Sequence, residues 1–116
     1  MKTFCFDLDG IICKTTKNLY KKSIPKKDTI KLINKLYRKN YILIYTSRYM
    51  GRSKENTKLA YKKGYSFTLK QLNQWGLKFH KLKFGKPSYD VFIDDKSFNF
   101  EKNWIRKFKL KFKNNL

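Results

Sequence analysis

Cysteine is scarce in this 116-residue chain, with only Cys5 and Cys13, and histidine is scarcer still, with His80 alone. The two cysteines form no C-x-x-C pair and no histidine stands near them. That pattern excludes a dense disulfide framework and a Cys/His metal cluster. Both are expected as reduced thiols in a cytosolic protein, with Cys5 a small core residue in an apolar run. Long hydrophobic stretches are missing as well: no run approaches the ~18 apolar residues of a membrane span. The segment Met1-Lys2-Thr3-Phe4 opens no signal-peptide pattern, because the apolar run after it carries Asp7 and Asp9. A cytoplasmic protein without a membrane span is the expectation. His80 lies in a predicted strand with no metal-ligand partner and reads as structural.

Acidic residues are also few. Eight Asp and Glu stand against 29 Lys and Arg, for a net charge of +21. Such a field attracts polyanions and steers anionic small molecules. A compositional cause competes with that one. The chain is rich in Lys, Asn, Ile, Tyr and Phe, as an A/T-rich genome would dictate, and its lysines are spread along the whole length. Nucleic acid therefore stays open as a partner. Apolar residues make up 41% and aromatics 17%, enough for a real core, so disorder is excluded. The length fits one domain, residues 1–116, with no repeat and no linker.

Residues 3–8 read as a buried strand ending at Gly10. Residues 11–24 are mixed and basic, and read as a loop or small hairpin that forms a flap. A helix is expected over residues 26–39, with Ile30, Ile33, Leu36 and Tyr37 on one face, Asp28 near its start and Asn40 as its left-handed end. Residues 41–46 are almost wholly apolar, as a strand covered on both faces should be. Ser53 is expected to cap a second helix that carries Ala60, Gly64, Phe67, Leu72 and Trp75 and stops before Gly76. Strands follow at 78–83 and 90–94. Residues 100–116 end the chain as a basic amphipathic helix, with Trp104, Phe108 and Phe112 at four-residue spacing. It is most simply packed on the body, although a basic amphipathic helix also suits a membrane surface. Trp75 and Trp104 are core residues by default.

This alternation predicts an α/β protein with a parallel sheet and right-handed crossovers. Ligands in such sheets bind beyond the carboxyl ends of the strands. Asp7 and Asp9 end the first predicted strand, Thr46, Ser47 and Arg48 the second, and Asp94 and Asp95 the fourth. Lys86 follows the third. All fall on one sheet edge. Four converging carboxylates would repel one another without a cation, and hard oxygens without His or Cys point to Mg²⁺ rather than Zn²⁺. Lys86, the Thr46 hydroxyl and backbone N–H groups would hold a phosphoryl group, since phosphoryl transfer needs positioning and charge stabilisation.

The segments Asp7-Leu8-Asp9-Gly10, Thr46-Ser47-Arg48, Lys86 and Asp94-Asp95, in that order, resemble the four motifs of the haloacid dehalogenase superfamily. More closely, Thr46-Ser47-Arg48-Tyr49-Met50-Gly51-Arg52, Trp75-Gly76, Phe84-Gly85-Lys86-Pro87 and Ile93-Asp94-Asp95-Lys96-Ser97 resemble small phosphatases of capsule and surface-polysaccharide gene clusters. The resemblance implies a three-layer Rossmann-like fold with strand order 3-2-1-4. It implies a Mg²⁺-dependent phosphomonoesterase in which Asp7 attacks phosphorus through an aspartyl-phosphate and also ligates the metal. Asp9 would protonate the leaving oxygen, then activate water, with its backbone carbonyl on the metal. Thr46 would bind the phosphoryl group and Lys86 would stabilise its charge. Asp94 would bind the metal and Asp95 would support it. Gly10, Ser47, Arg48 and Arg52 are candidate substrate-binding residues, the two arginines reading equally as solvated loop charges. Residues 11–45 and 49–85 are each nearly filled by one helix and its flanks, so no cap domain fits. An open site would admit a sugar phosphate, a polysaccharide precursor, a phosphoprotein or a nucleic-acid end, unless a second copy supplies a lid. A nucleic-acid end phosphatase and a non-enzymatic polyanion binder are the competing functions.

Overall fold

Alternation of side chains across three short strands decides the architecture. The computed structural model describes residues 1–116. Strand β1 (Thr3–Asp7) leads to a hairpin of β2 (Cys13–Lys14) and β3 (Ile24–Pro25), then helix α1 (Lys27–Tyr37), strand β4 (Tyr41–Thr46), helix α2 (Thr57–Gln74), strand β5 (Lys81–Phe84) and helix α3 (Trp104–Lys111). The main sheet is parallel, in the order β1-β4-β5. Residues 11–24 thus contain the small hairpin expected there, with Cys13 opposite Pro25.

Paired residues of a parallel sheet share a face, and alternate residues take opposite faces. Phe4 and Phe6 pair with Ile42 and Ile44, and Ile44 and Thr46 with Leu82 and Phe84. This face is the buried one. Each strand moves one place in the same direction, so right-handed crossovers lay α1 and α2 on one side. Helix α1 presents Ile30, Ile33 and Leu36, all buried. Helix α2 presents Ala60, Gly64, Thr68 and Leu72, a stripe of mostly small residues at four-residue spacing. Helix α3 joins by stacking Phe108 and Phe112 on Phe4, with ring centroids 5.4 and 5.3 Å apart. The C-terminal amphipathic segment therefore packs on the body, over a shorter helix, Trp104–Lys111, than the expected 100–116.

The opposite face departs from expectation. Thr3, Cys5, Lys81 and Lys83 are exposed there, and Leu43 and Tyr45 only half-buried, so no helical layer covers it. The architecture has two layers rather than three. Cys5 lies on this face, out of register with Phe4 and Phe6, and is exposed rather than a core residue. The fourth strand is not formed either. Residues 90–94 join no sheet, with Val91 and Ile93 75% and 91% exposed, so the order 3-2-1-4 is not matched and β1 keeps a free outer edge.

Helix boundaries were displaced by features with their own physical causes. Lys54 and Glu55 are left-handed (φ 51° and 61°), which breaks the chain after Ser53. Asn56 is the cap instead, its Oδ1 accepting the Leu59 N–H at 3.0 Å. Asn40 is not the left-handed helix end. It is buried and bridges three segments: its Oδ1 accepts the Lys2 N–H, and its Nδ2 donates to the Leu36 and Asn115 carbonyls. His80 is structural, its Nδ1 accepting the Ile42 N–H at 3.0 Å between the stacked rings of Tyr37 and Tyr41. Trp75 and Trp104 pack against the core.

Gly64 admits the ring of Tyr49, where an added Cβ would sit 2.3 Å from ring carbons. Gly64→Ala should therefore destabilise the fold by about 1–3 kcal/mol through overpacking, although alanine is the better helix former by about 1 kcal/mol. Urea unfolding checks the sign: a gain in midpoint would show that Tyr49 yields at no cost.

Candidate active site

The carboxyl edge of the sheet gathers residues from four loops. Asp7 is the last residue of β1, followed by the fully buried Leu8 and a turn at Gly10, whose φ of +96° suits glycine. Thr46 is the last residue of β4 and is 1% exposed. Its Oγ1 accepts the Arg48 N–H at 3.1 Å, which folds the Ser47 loop back over the strand end. Lys86 follows β5 across Gly85, where φ is +99° and a Cβ would meet Thr57 at 2.7 Å. The Lys86 N–H donates to the Thr46 carbonyl at 3.2 Å, so these two residues are held side by side.

Asp7 and Lys86 form one charge pair, with Nζ 3.5 Å from Oδ1. Burial pushes the Asp7 carboxyl above its usual range, while Lys86 and the Leu8 N–H pull it down. For Lys86, burial opposes the charge, but the Tyr89 hydroxyl and Asp7 outweigh it and raise its pKa. Its ammonium also lies 5.2 Å from the ring centres of both Tyr89 and Phe92. These two aromatics were not foreseen. They fall in the turn and apolar run after Lys86, which carry no spacing that points to a lysine.

Asp9 forms a second, separate pair. Arg48 grips it bidentately, Nε to Oδ2 and Nη2 to Oδ1, both at 2.9 Å. Thr15 also donates to Oδ1, and the Cys13 thiol approaches the same oxygen at 3.4 Å. Arg48 itself is fully buried. Its Nη1 donates to Gln71 Oε1 at 2.7 Å, its Nη2 reaches Ser23, and its guanidinium lies 4.7 Å from the Tyr20 ring centre. Arg48 is thus neither a substrate clamp nor a solvated charge. Arg52 is exposed and engaged by the flap, donating to the Asn18 carbonyl at 2.6 Å and stacking on Tyr20 and Tyr49. Thr15, Ser23 and Gln71 had no sequence signal, because each is a common polar residue whose role depends on Arg48. Burial pushes the Cys13 thiol up to about 11, so it stays protonated at neutral pH.

Asp94 and Asp95 are exposed, since the strand that was to carry them does not form. Asp94 accepts the Lys96 N–H at 3.1 Å, which, with Asp95, holds its carboxyl below its usual range. Asp94 lines the same cavity as Asp7 and Lys86, and Asp95 does not. The four carboxylates therefore do not converge, and no three acidic, His or Cys side chains cluster. Ser47 is half-buried and Gly10 exposed at the same edge.

No family model matches the sequence, and no curated protein matches it. A crystal structure of an MCSG target protein from Vibrio cholerae is similar, with a TM-score of 0.79 at 21% identity over 96% of this chain and 98% of that one. At that identity the likeness shows the fold alone: an α/β chain with a parallel sheet. No helix is long and apolar enough to cross a membrane.

Removing Arg48 leaves Asp9 partly buried without its cation. Arg48→Met should cost about 3 kcal/mol or more of stability, and Arg48→Met combined with Asp9→Asn should recover part of it. Chemical denaturation of the three variants measures the coupling; additive losses would show that Arg48 and Asp9 do not stabilise one another.

Proposed function

We propose that the chain is a capless phosphomonoesterase of the haloacid dehalogenase type, acting through an aspartyl-phosphate on Asp7. The observation that carries this reading is the Asp7–Lys86 pair, set beside Thr46 at the carboxyl edge of a parallel sheet. A nucleophilic carboxylate and an ammonium to offset phosphoryl charge meet in one cavity, and Thr46 ends the neighbouring strand at the same sheet edge. Sugar phosphates and polysaccharide precursors are the substrates that the motif resemblance favours.

The donor set fits magnesium. Asp7 and Asp94 offer hard oxygens to one cavity, and Mg²⁺ asks for only one or two carboxylates, with water and substrate oxygens completing its shell. When bound, the ion would neutralise charge on the phosphoryl oxygens. Asp95 is the outer support of Asp94 in this reading, and the Asp9 backbone carbonyl a further donor.

In the first step an Asp7 Oδ attacks phosphorus, the P–O ester bond breaks and the leaving oxygen takes a proton. Water then attacks the aspartyl-phosphate, releasing phosphate and restoring Asp7. Lys86 stays on the phosphoryl charge throughout, and the Thr46 hydroxyl donates to a phosphoryl oxygen. Asp9 carries the proton.

The +21 charge favours a second reading, phosphatase action on a nucleic-acid end. With Mg²⁺, purified protein should release phosphate from an aryl phosphate. Asp7→Asn or a chelator should lower the rate by at least about a thousandfold, within the range of acceleration open to such enzymes. Activity that survives Asp7→Asn removes the mechanism. A preference for a 3′-phosphorylated oligonucleotide that collapses between 50 and 200 mM salt (about the range over which phosphate contacts lose their strength) selects the second reading.

A further inference from the structure

We propose that the cavity beside Asp7 receives the alcohol part of the substrate, and that this part carries an aromatic ring. The inference rests on the phosphomonoesterase reading and adds the class of ester.

The cavity has a volume of about 610 Å³ and is lined by β1, by Leu43, Tyr45 and Lys83 of the uncovered sheet face, and by aromatic residues between Phe92 and Phe112. Lys83, Lys86, Lys96 and Asp7 line it together with Phe98, Phe100 and Trp104, and the Lys26 ammonium lies 5.2 Å from the Phe100 ring centre. A phosphate ester that joins an anionic group to an apolar one matches this mixed lining. A small polyol phosphate would leave the aromatic wall in contact with water.

The wall favours a ring over a chain. Phe98 meets Phe108 edge-on at 5.4 Å, Trp104 meets Phe108 edge-on at 6.2 Å, and Phe100 leans on Trp104 at 6.0 Å. These rings hold one another in place, so the surface is preformed and offers both faces and edges to a further ring. The edge of β1 argues in the same direction. Alternate residues of a parallel strand turn both backbone groups to one side. Lys2 turns toward β4, donating to Asn40 and accepting the Tyr41 N–H, so Thr3, Cys5 and Asp7 turn away from it. Their N–H and C=O groups turn away from β4, the one strand that β1 pairs with, and these residues line this cavity. A hydrocarbon chain would desolvate them without compensation, whereas a ring stacked at the α3 end leaves them to water or to polar substituents.

Binding of three non-hydrolysable phosphonates to the intact protein with Mg²⁺, followed by calorimetry, tests this. Phenylphosphonate should bind about tenfold tighter than methylphosphonate, the equivalent of roughly 1.4 kcal/mol. Phe100 is 50% exposed at the rim, so its truncation spares the core. Phe100→Ala should narrow that preference about threefold and leave methylphosphonate unchanged, as the loss of one aromatic contact requires. Equal affinity for the two, or binding of neither, overturns the proposal. An unchanged preference in Phe100→Ala overturns it too. Tighter binding of octylphosphonate than of phenylphosphonate also overturns it, in favour of a lipid-like ester. A phenyl preference without hydrolysis of any phosphomonoester supports the cavity assignment and overturns the phosphatase reading alone. Hydrolysis without a phenyl preference overturns the cavity assignment alone.

Discussion

The buried pair between Arg48 and Asp9 is the constraint on which the rest of this structure depends. Taking a guanidinium out of water costs several kcal/mol, and the cost is offset only when every donor finds a partner. Here the partners come from three places: Asp9 after β1, Ser23 and the Tyr20 ring face in the flap, and Thr68 and Gln71 on α2. One side chain therefore fixes the flap, the second helix and the end of the first strand relative to one another. The loop that carries Arg48 is itself tied to Thr46 through its N–H. A shift in that cation would move Thr46 and Asp9 together.

This arrangement changes how an acidic sheet edge is tolerated. The sequence suggests four carboxylates crowded on one cation. The structure gives Asp7 and Asp9 separate counter-charges instead, Lys86 for one and Arg48 for the other. Asp94 and Asp95 stand in solvent, where their charges cost little. The edge is thus neutralised by its own cations.

The parts legible in the sequence were those with a strong local period. Ile42, Ile44 and Thr46, and Ile30, Ile33 and Leu36, stand where their spacing placed them. Less was legible where the outcome depends on distant chain. Residues 90–94 have the composition of a strand, yet a strand needs a partner edge, and no local pattern says whether one is taken. Arg48 follows a strand among polar residues and reads as a loop charge, because depth is a property of what packs around it. Cys5 sits in an apolar run, but alternation with Phe4 and Phe6 turns it to the uncovered face. Asn40 resembled a helix end, and its true partners, Lys2 and Asn115, lie at the two ends of the chain. For the candidate site, the positions of Asp7, Thr46 and Lys86 were readable from strand ends, whereas Tyr89, Phe92 and the Arg48 network were not.

The free edge of β1 has a consequence for how copies of this protein meet. An unpaired parallel strand of five residues is a template for pairing with another chain. Each copy also carries a charge of +21. Two such molecules repel over a distance set by the Debye length, about 8 Å at physiological ionic strength. The lysines that dominate the composition therefore act as a colloidal barrier in front of the exposed strand, and the barrier thins as salt rises. Pairing of copies through this strand should therefore grow with ionic strength, and the same free edge leaves the cavity open.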